Sequence, residues 1–134
     1  MTKSQSIQDL YAAFGRGDVA SIVRQVSDDV DWNNDRVVTR DLPWNRNFSG
    51  KARLPEFFKA VGDELELSVF NPHTFIESGN HVAVLLHIEG RVKKNGRPLQ
   101  NDAVHIWTFN DRGQVSAYRH YNDTAMEQAA WGAT

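Results

Sequence analysis

The apolar residues of this chain change period part-way along, and that change limits the possible folds more than any single residue does. Ile7, Leu10, Tyr11 and Phe14 recur at helical spacing, and Val19, Ile22, Val23 and Val26 form a second such face. Ser4 and Ser6 are the candidate caps of the first helix, Gly15 and Gly17 bracket its end, and Asp18 caps the second. Val30 and Trp32 then alternate with Asp29, Asp31 and Asn33, the period of a half-buried strand. From Asn34 to Ser49 no period holds, and an excursion of that length inside a compact domain is more often functional than ornamental. Helical spacing returns between Gly50 and Leu67, with Leu54, Phe57, Phe58, Val61 and Leu65 on one face and Pro55 in the opening turn. Beyond Leu67 the pattern is one of strands: 67–78 (interrupted by Pro72), 81–92, 99–109 and 114–121. Asn95-Gly96 is a strong hairpin signal between two of them, and Asp111-Arg112-Gly113 makes another tight turn. Asp123 or Thr124 heads a short terminal helix ending near Ala130.

Helices segregated from a run of strands indicate an α+β fold. A mostly antiparallel sheet of this kind could bend strongly around the long helix. Such a sheet leaves a concave interior, the usual place for a small-molecule pocket. With 134 residues and no repeat or linker, the chain is expected to form one domain over 1–134.

Composition removes several classes of function. Hydrophobic residues make up 40% and charged residues 24%, a globular balance that favours neither disorder nor a membrane protein. No apolar run approaches the roughly 18 residues that span a bilayer. Met1-Thr2-Lys3-Ser4-Gln5 carries no apolar secretory region, so a cytoplasmic location is expected. There is no cysteine, hence no thiolate nucleophile or zinc–cysteine site. A net charge of −2 without a basic block gives no footprint for nucleic acid. The five histidines show no metal-ligand spacing, and neither metal nor cofactor is expected.

Several stretches make a closer comparison. Tyr11-Ala12-Ala13-Phe14-Gly15-Arg16-Gly17-Asp18 and Ser27-Asp28-Asp29-Val30-Asp31-Trp32 form the opening, followed by Pro43-Trp44, Phe48-Ser49-Gly50 and Phe57-Phe58. Val104-His105-Ile106-Trp107-Thr108-Phe109 and Arg119-His120-Tyr121-Asn122-Asp123-Thr124-Ala125 complete the pattern. Together they resemble the SnoaL-like family of the nuclear-transport-factor-2-like, or ketosteroid isomerase-like, superfamily, over nearly the whole chain. The resemblance implies a cone-shaped cystatin-like roll, with a strongly curved, mostly antiparallel sheet wrapped around the N-terminal and central helices, and a homodimer formed through the outer face of the sheet. It also implies a range of activities (isomerase, cyclase, epoxide hydrolase, dehydratase or plain binder) that the fold alone does not separate. Alignment to ketosteroid isomerase puts Asn34 at the position of the carboxylate base, and an amide cannot abstract a proton, so that activity is rejected. Against limonene-epoxide-hydrolase-like members, Asn34 and Asp123 match the water-holding residues, but Trp32 replaces a tyrosine and His87-Ile88-Glu89 replaces an Arg-x-Asp pair. A polyketide-cyclase-like reaction, with an acidic residue as acid/base on a preorganised substrate, is compatible at the level of class.

Strand alternation nominates the residues of the site. Asn101, Ala103, His105, Trp107 and Phe109 share one face of their strand; Val115, Ala117, Arg119, Tyr121 and Asp123 share one face of the next. If both faces look inward, His105 and Asp123 converge as a proton-exchanging catalytic pair. The substrate-binding residues would then be Phe14, Trp32, Asn34, Trp44, Phe57, His87, Glu89, Trp107, Arg119 and Tyr121. Asp123 has a second possible role as a helix cap, Arg119 as its ion-pair partner, and His105 as a satisfied core histidine. The expected function is binding of a small hydrophobic carbonyl or polyketide-like molecule. A cofactor-independent isomerase, cyclase or hydrolase step would act on it, and the alternative is a non-catalytic binding or dimerisation module.

Overall fold

The computed structural model describes residues 2–32 and 42–132. Helix α1 (Lys3–Gly15) starts before either Ser4 or Ser6, which both lie within it. Thr2 is the cap: its hydroxyl accepts from the Gln5 N–H at 3.1 Å, while the Gln5 side chain accepts from the Thr2 N–H at 2.9 Å. That reciprocal pair needs an acceptor three residues inside the helix, which Gln5 supplies. Asp18 caps α2 (Val19–Arg24), accepting from the Ser21 N–H. Strand β1 (Val26–Trp32) follows, then a 3-10 turn over Lys51–Arg53 that leads into α3 (Leu54–Glu64). Four strands come next: β2 (Leu65–Ser78), β3 (His81–Val92), β4 (Pro98–Phe109) and β5 (Val115–Tyr121). Helix α4 (Thr124–Trp131) closes the order.

The strands form one open sheet in the order β1-β5-β4-β3-β2. Three neighbouring pairs are antiparallel, and β1 lies parallel to β5 at the edge. The architecture is therefore α+β with a mixed, mostly antiparallel sheet. The larger apolar core joins Ile7 and Leu10 of α1, Ile22 of α2 and Leu54 and Phe57 of α3 to Trp32, Val82, Val84 and Trp107 of the sheet. A smaller one (Leu86, Ile88, Val92, Leu99, Ala103 and Ala130) lies where α4 meets β3 and β4. No helix among the described residues is long and apolar enough to cross a membrane.

Two irregularities decide what faces inward. The β2–β3 ladder shifts register between Leu67 and Val69, beside Gly90, where an added Cβ would stand 2.2 Å from the Glu66 carbonyl oxygen. The β4–β5 ladder shifts between Thr108 and Phe109, whose partners are Ala117 and Val115. Ser116 is thus an extra residue in β5, and a single such insertion turns the rest of a strand over.

Candidate functional site

On β4 the alternation holds: Asn101, Ala103, His105, Trp107 and Phe109 are buried on one face. Because of the bulge, their inward partners on β5 are Tyr118, His120 and, one step past the strand, Asn122. His105 stands opposite His120, and Trp107 opposite Tyr118. Asn101, His105, Trp107, Tyr118, His120 and Asn122 line a cavity of about 100 Å³, together with Tyr11 and Phe14 from α1, Phe57 and Phe58 from α3, Glu127 from α4, Trp32 from β1, Phe70 from β2, and Trp44. That space is several times what one water molecule needs. Its walls are largely aromatic: Trp32 stacks on Tyr118 with ring centres 4.2 Å apart, and its indole stands edge-on to Phe57 and Trp107.

A directed hydrogen-bond chain runs into this cavity. The Trp107 indole N–H can only donate, and it donates to the Tyr11 hydroxyl oxygen at 3.0 Å. Tyr11 in turn has one hydrogen, and His105 Nδ1 lies 2.6 Å away to accept it. With the Tyr11 hydrogen placed on Nδ1, His105 carries its own proton on Nε2 and donates it to His120 Nδ1 at 2.7 Å. His120 is left with its proton on Nε2. The Tyr118 hydroxyl lies 3.2 Å from His105 Nε2, and its oxygen shares that N–H. In this arrangement the hydrogens of His120 Nε2 and the Tyr118 hydroxyl are not used within the hydrogen-bond chain.

Burial keeps every member neutral. Desolvation, with His120 close by, holds His105 well below the usual histidine range, and desolvation brings His120 down to about 4. The same cause lifts both phenols, Tyr11 and Tyr118, above the ordinary tyrosine range.

A second polar cluster lies on another part of the wall. Glu127, only 3% exposed, accepts from Trp44 Nε1 at 3.0 Å and from Asn45 Nδ2 at 3.3 Å through Oε1. Its Oε2 accepts from Asn122 Nδ2. Burial raises the Glu127 carboxyl above the ordinary range, and the hydrogen bonds from Asn122 and Trp44 oppose that rise. Among the described residues no cluster of three or more histidine and carboxylate side chains could hold a metal ion.

The SnoaL-like domain family matches residues 7–118, most of the chain. The chain belongs to that family. Solved structures similar to this SnoaL-like domain include an NTF2-like protein from Burkholderia xenovorans LB400, 27% identical, with 96% of this chain and 94% of that chain covered and a TM-score of 0.84. An NTF2-like protein of unknown function from Burkholderia pseudomallei K96243 is 25% identical over 97% and 98% of the two chains, TM-score 0.81. TerC, co-crystallized with polyporic acid, is 24% identical over 98% of each chain, TM-score 0.80, and at that identity shows the fold alone. No curated protein sequence matches the chain.

Of the residues expected in the site of this SnoaL-like domain, Phe14, Trp32, Trp44, Phe57, His105 and Trp107 line the cavity. Asn34 lies outside the described residues. Five others stand elsewhere. Asp123 caps α4, accepting from the Met126 N–H at 3.1 Å, so its carboxylate does not pair with His105. Arg119 binds Asp31 through Oδ2 at 2.5 Å and the backbone oxygen at 3.1 Å, stapling β5 to β1, and Tyr121 is 46% exposed. All three carry the parity that the Ser116 bulge reverses. His87 and Glu89 face away from the buried Leu86 and Ile88, where His87 joins Glu89 and Asp102 at 2.7 Å each. The run Val82-Ala83-Val84-Leu85-Leu86 is apolar at every position, so alternation in the sequence could not assign its faces. The residues overlooked were Tyr11, Tyr118, His120, Asn122 and Glu127. The signal that could have found most of them was the complementary set of β5, in which Tyr118, His120 and Asn122 already share a face.

Proposed function

We propose that this SnoaL-like domain binds a small hydrophobic carbonyl compound and acts on it by an isomerase-, cyclase- or hydrolase-type reaction. His120 and Tyr118 would hold the carbonyl oxygen, with His105 positioned behind them. The observation that carries the reading is the hydrogen-bonded line of Trp107, Tyr11, His105 and His120 along an aromatic cavity, which ends in donors when the Tyr11 hydrogen lies on His105. All three reaction types build negative charge on a carbonyl oxygen, and preoriented neutral donors in a site poor in water stabilise that charge without reorganising. A neutral imidazole suits the task because it donates without bringing a charge that the cavity would have to solvate. TerC, crystallized with polyporic acid, offers an organic ligand in a related fold.

Incubation with acetophenone in deuterated buffer tests the proposal, with methyl proton exchange followed by NMR. With solvent deuteroxide taking the methyl proton while His120 and Tyr118 stabilise the enolate oxygen, exchange above the buffer rate is expected, with a loss of about tenfold or more in His120→Ala and in Tyr118→Phe. Exchange at the buffer rate despite binding would sink the catalytic reading. It would favour the alternative, a binding module, to which one feature already points: both nitrogens of His105 are satisfied inside the protein.

A further inference from the structure

Among the described residues Glu127 is the one carboxylate in the cavity wall, and nothing in the carbonyl-holding reading uses it. It is built in from several sides. The N-terminal turn of α4 carries it, where the helix dipole favours an anion, and that helix is strapped at both ends. At its start, Asn101 Nδ2 donates to the Asp123 carbonyl at 3.0 Å, and Asn101 Oδ1 accepts from the Asp123 N–H at 3.1 Å. At its end, Asn95 donates to the Ala130 carbonyl at 3.0 Å and Arg97 to the Ala129 carbonyl at 2.9 Å. Trp44, Asn45 and Asn122 then fill three of the roughly four lone-pair positions of the carboxylate. Three neutral donors fix the group without supplying a cation. Close beside it, the buried Asn122 Oδ1 has no hydrogen-bond partner among the described residues. This wall therefore holds more acceptor capacity than the protein itself uses, and a buried acceptor in a native site calls for a donor.

The opposite requirement holds at His120 and Tyr118, which present hydrogens. His120 and Asn122 follow each other on the inward face, about 6.6 Å apart along the extended backbone, so a ligand lying along that face meets the donors first and the acceptors next. We propose that Glu127, backed by Asn122, selects ligands bearing a phenolic or enolic hydroxyl, so that the cavity takes a small unsaturated ring with a carbonyl at one end and that hydroxyl at the other. This rests on the proposed function for the carbonyl end and adds the second end. A hydroxyl suits the site better than an ammonium, which would lose its full hydration to a largely aromatic wall with one carboxylate in return. A phenol needs one acceptor, and one position remains.

Titration of the tryptophan fluorescence with four probes tests this, since Trp32, Trp44 and Trp107 line the cavity. The probes are 4'-hydroxyacetophenone, acetophenone, 4-ethylphenol and benzylamine. The expected result is 4'-hydroxyacetophenone binding about tenfold more tightly than acetophenone, with the preference abolished in Glu127→Gln. Equal affinity of the two ketones overturns the hydroxyl selection while leaving the carbonyl reading intact. Glu127-dependent binding of 4-ethylphenol without acetophenone binding supports the selection and removes the carbonyl reading. Tighter binding of benzylamine than of 4-ethylphenol, a hydroxyl preference that survives in Glu127→Gln, or no binding of any probe each overturns the proposal. Should Glu127→Gln fail to fold, the ratio of the two ketones on the native protein decides alone.

Discussion

At the scale of single residues, the site is governed by which atom carries a proton, and the choice is made where Tyr11 meets His105. If the chain runs as drawn, the ¹⁵N spectrum of His105 shows Nδ1 without a proton and Nε2 protonated, the reverse pattern being the result that breaks it. Tyr11→Phe removes both the acceptor of the Trp107 N–H and the donor to His105, leaving two buried groups unpaired. The expected cost is about 1–3 kcal/mol in urea denaturation for each stranded group, with a second His105 tautomer appearing in the spectrum. Asp123→Ala tests the opposite kind of residue. Losing the cap of α4 should destabilise by about 1 kcal/mol, while probe affinity at the His120 end stays within a factor of two. A selective collapse of that affinity would return Asp123 to the site. The sequence made His105 visible because a histidine flanked by Val104 and Ile106 on a strand must find partners. Tyr11 stayed hidden because it lies 94 residues away in the chain, and Tyr118 and His120 because only the pairing of β4 with β5 turns them inward.

At the scale of elements, local sequence placed nearly every helix and strand. The span 81–92 agrees with β3, and Asn95-Gly96 sits in the turn between β3 and β4. What it could not supply was the bulge. Nothing in Gln114-Val115-Ser116-Ala117 marks Ser116 as the extra residue, since the insertion is defined only by pairing with β4. One residue of register then exchanged Arg119, Tyr121 and Asp123 for Tyr118, His120 and Asn122. Gly90 marks the matching irregularity between β2 and β3. Gly90→Ala would drive a methyl group into the Glu66 carbonyl, and a loss of about 1–3 kcal/mol is expected in thermal or urea denaturation. A neutral outcome there would mean that the two strands separate more freely than their ladder implies.

At the scale of the whole molecule, the buried histidines tie stability to pH. His105 and His120 have folded values below the ordinary histidine value of 6.5, so the unfolded chain binds protons more readily than the native protein. Their contribution is complete above about 6.5 and is lost as pH falls toward the folded values. Each histidine costs about 1.4 kcal/mol per pH unit across that window. Glu127 works with the opposite sign, since its raised value means that stability is lost as pH rises through it from the ordinary carboxyl value. His87, raised by Asp102 and Glu89 on the outer face, also favours lower pH, but solvent screening there leaves it a small effect. Urea midpoints should therefore fall between pH 7.5 and pH 5.0, and His120→Phe should flatten the fall. A wild-type midpoint that does not move over that range would refute the neutral, buried histidine pair.

Local sequence determined the elements, their order, the α+β class and the aromatic lining, because helical and strand periods and turn residues act over a few neighbours. The tertiary structure decided which polar groups share the cavity. That choice depends on a one-residue register between β4 and β5 and on where α4 comes to rest. Both are set by contacts between segments far apart in the chain, so Glu127 and His120 could enter the site only once the sheet had formed.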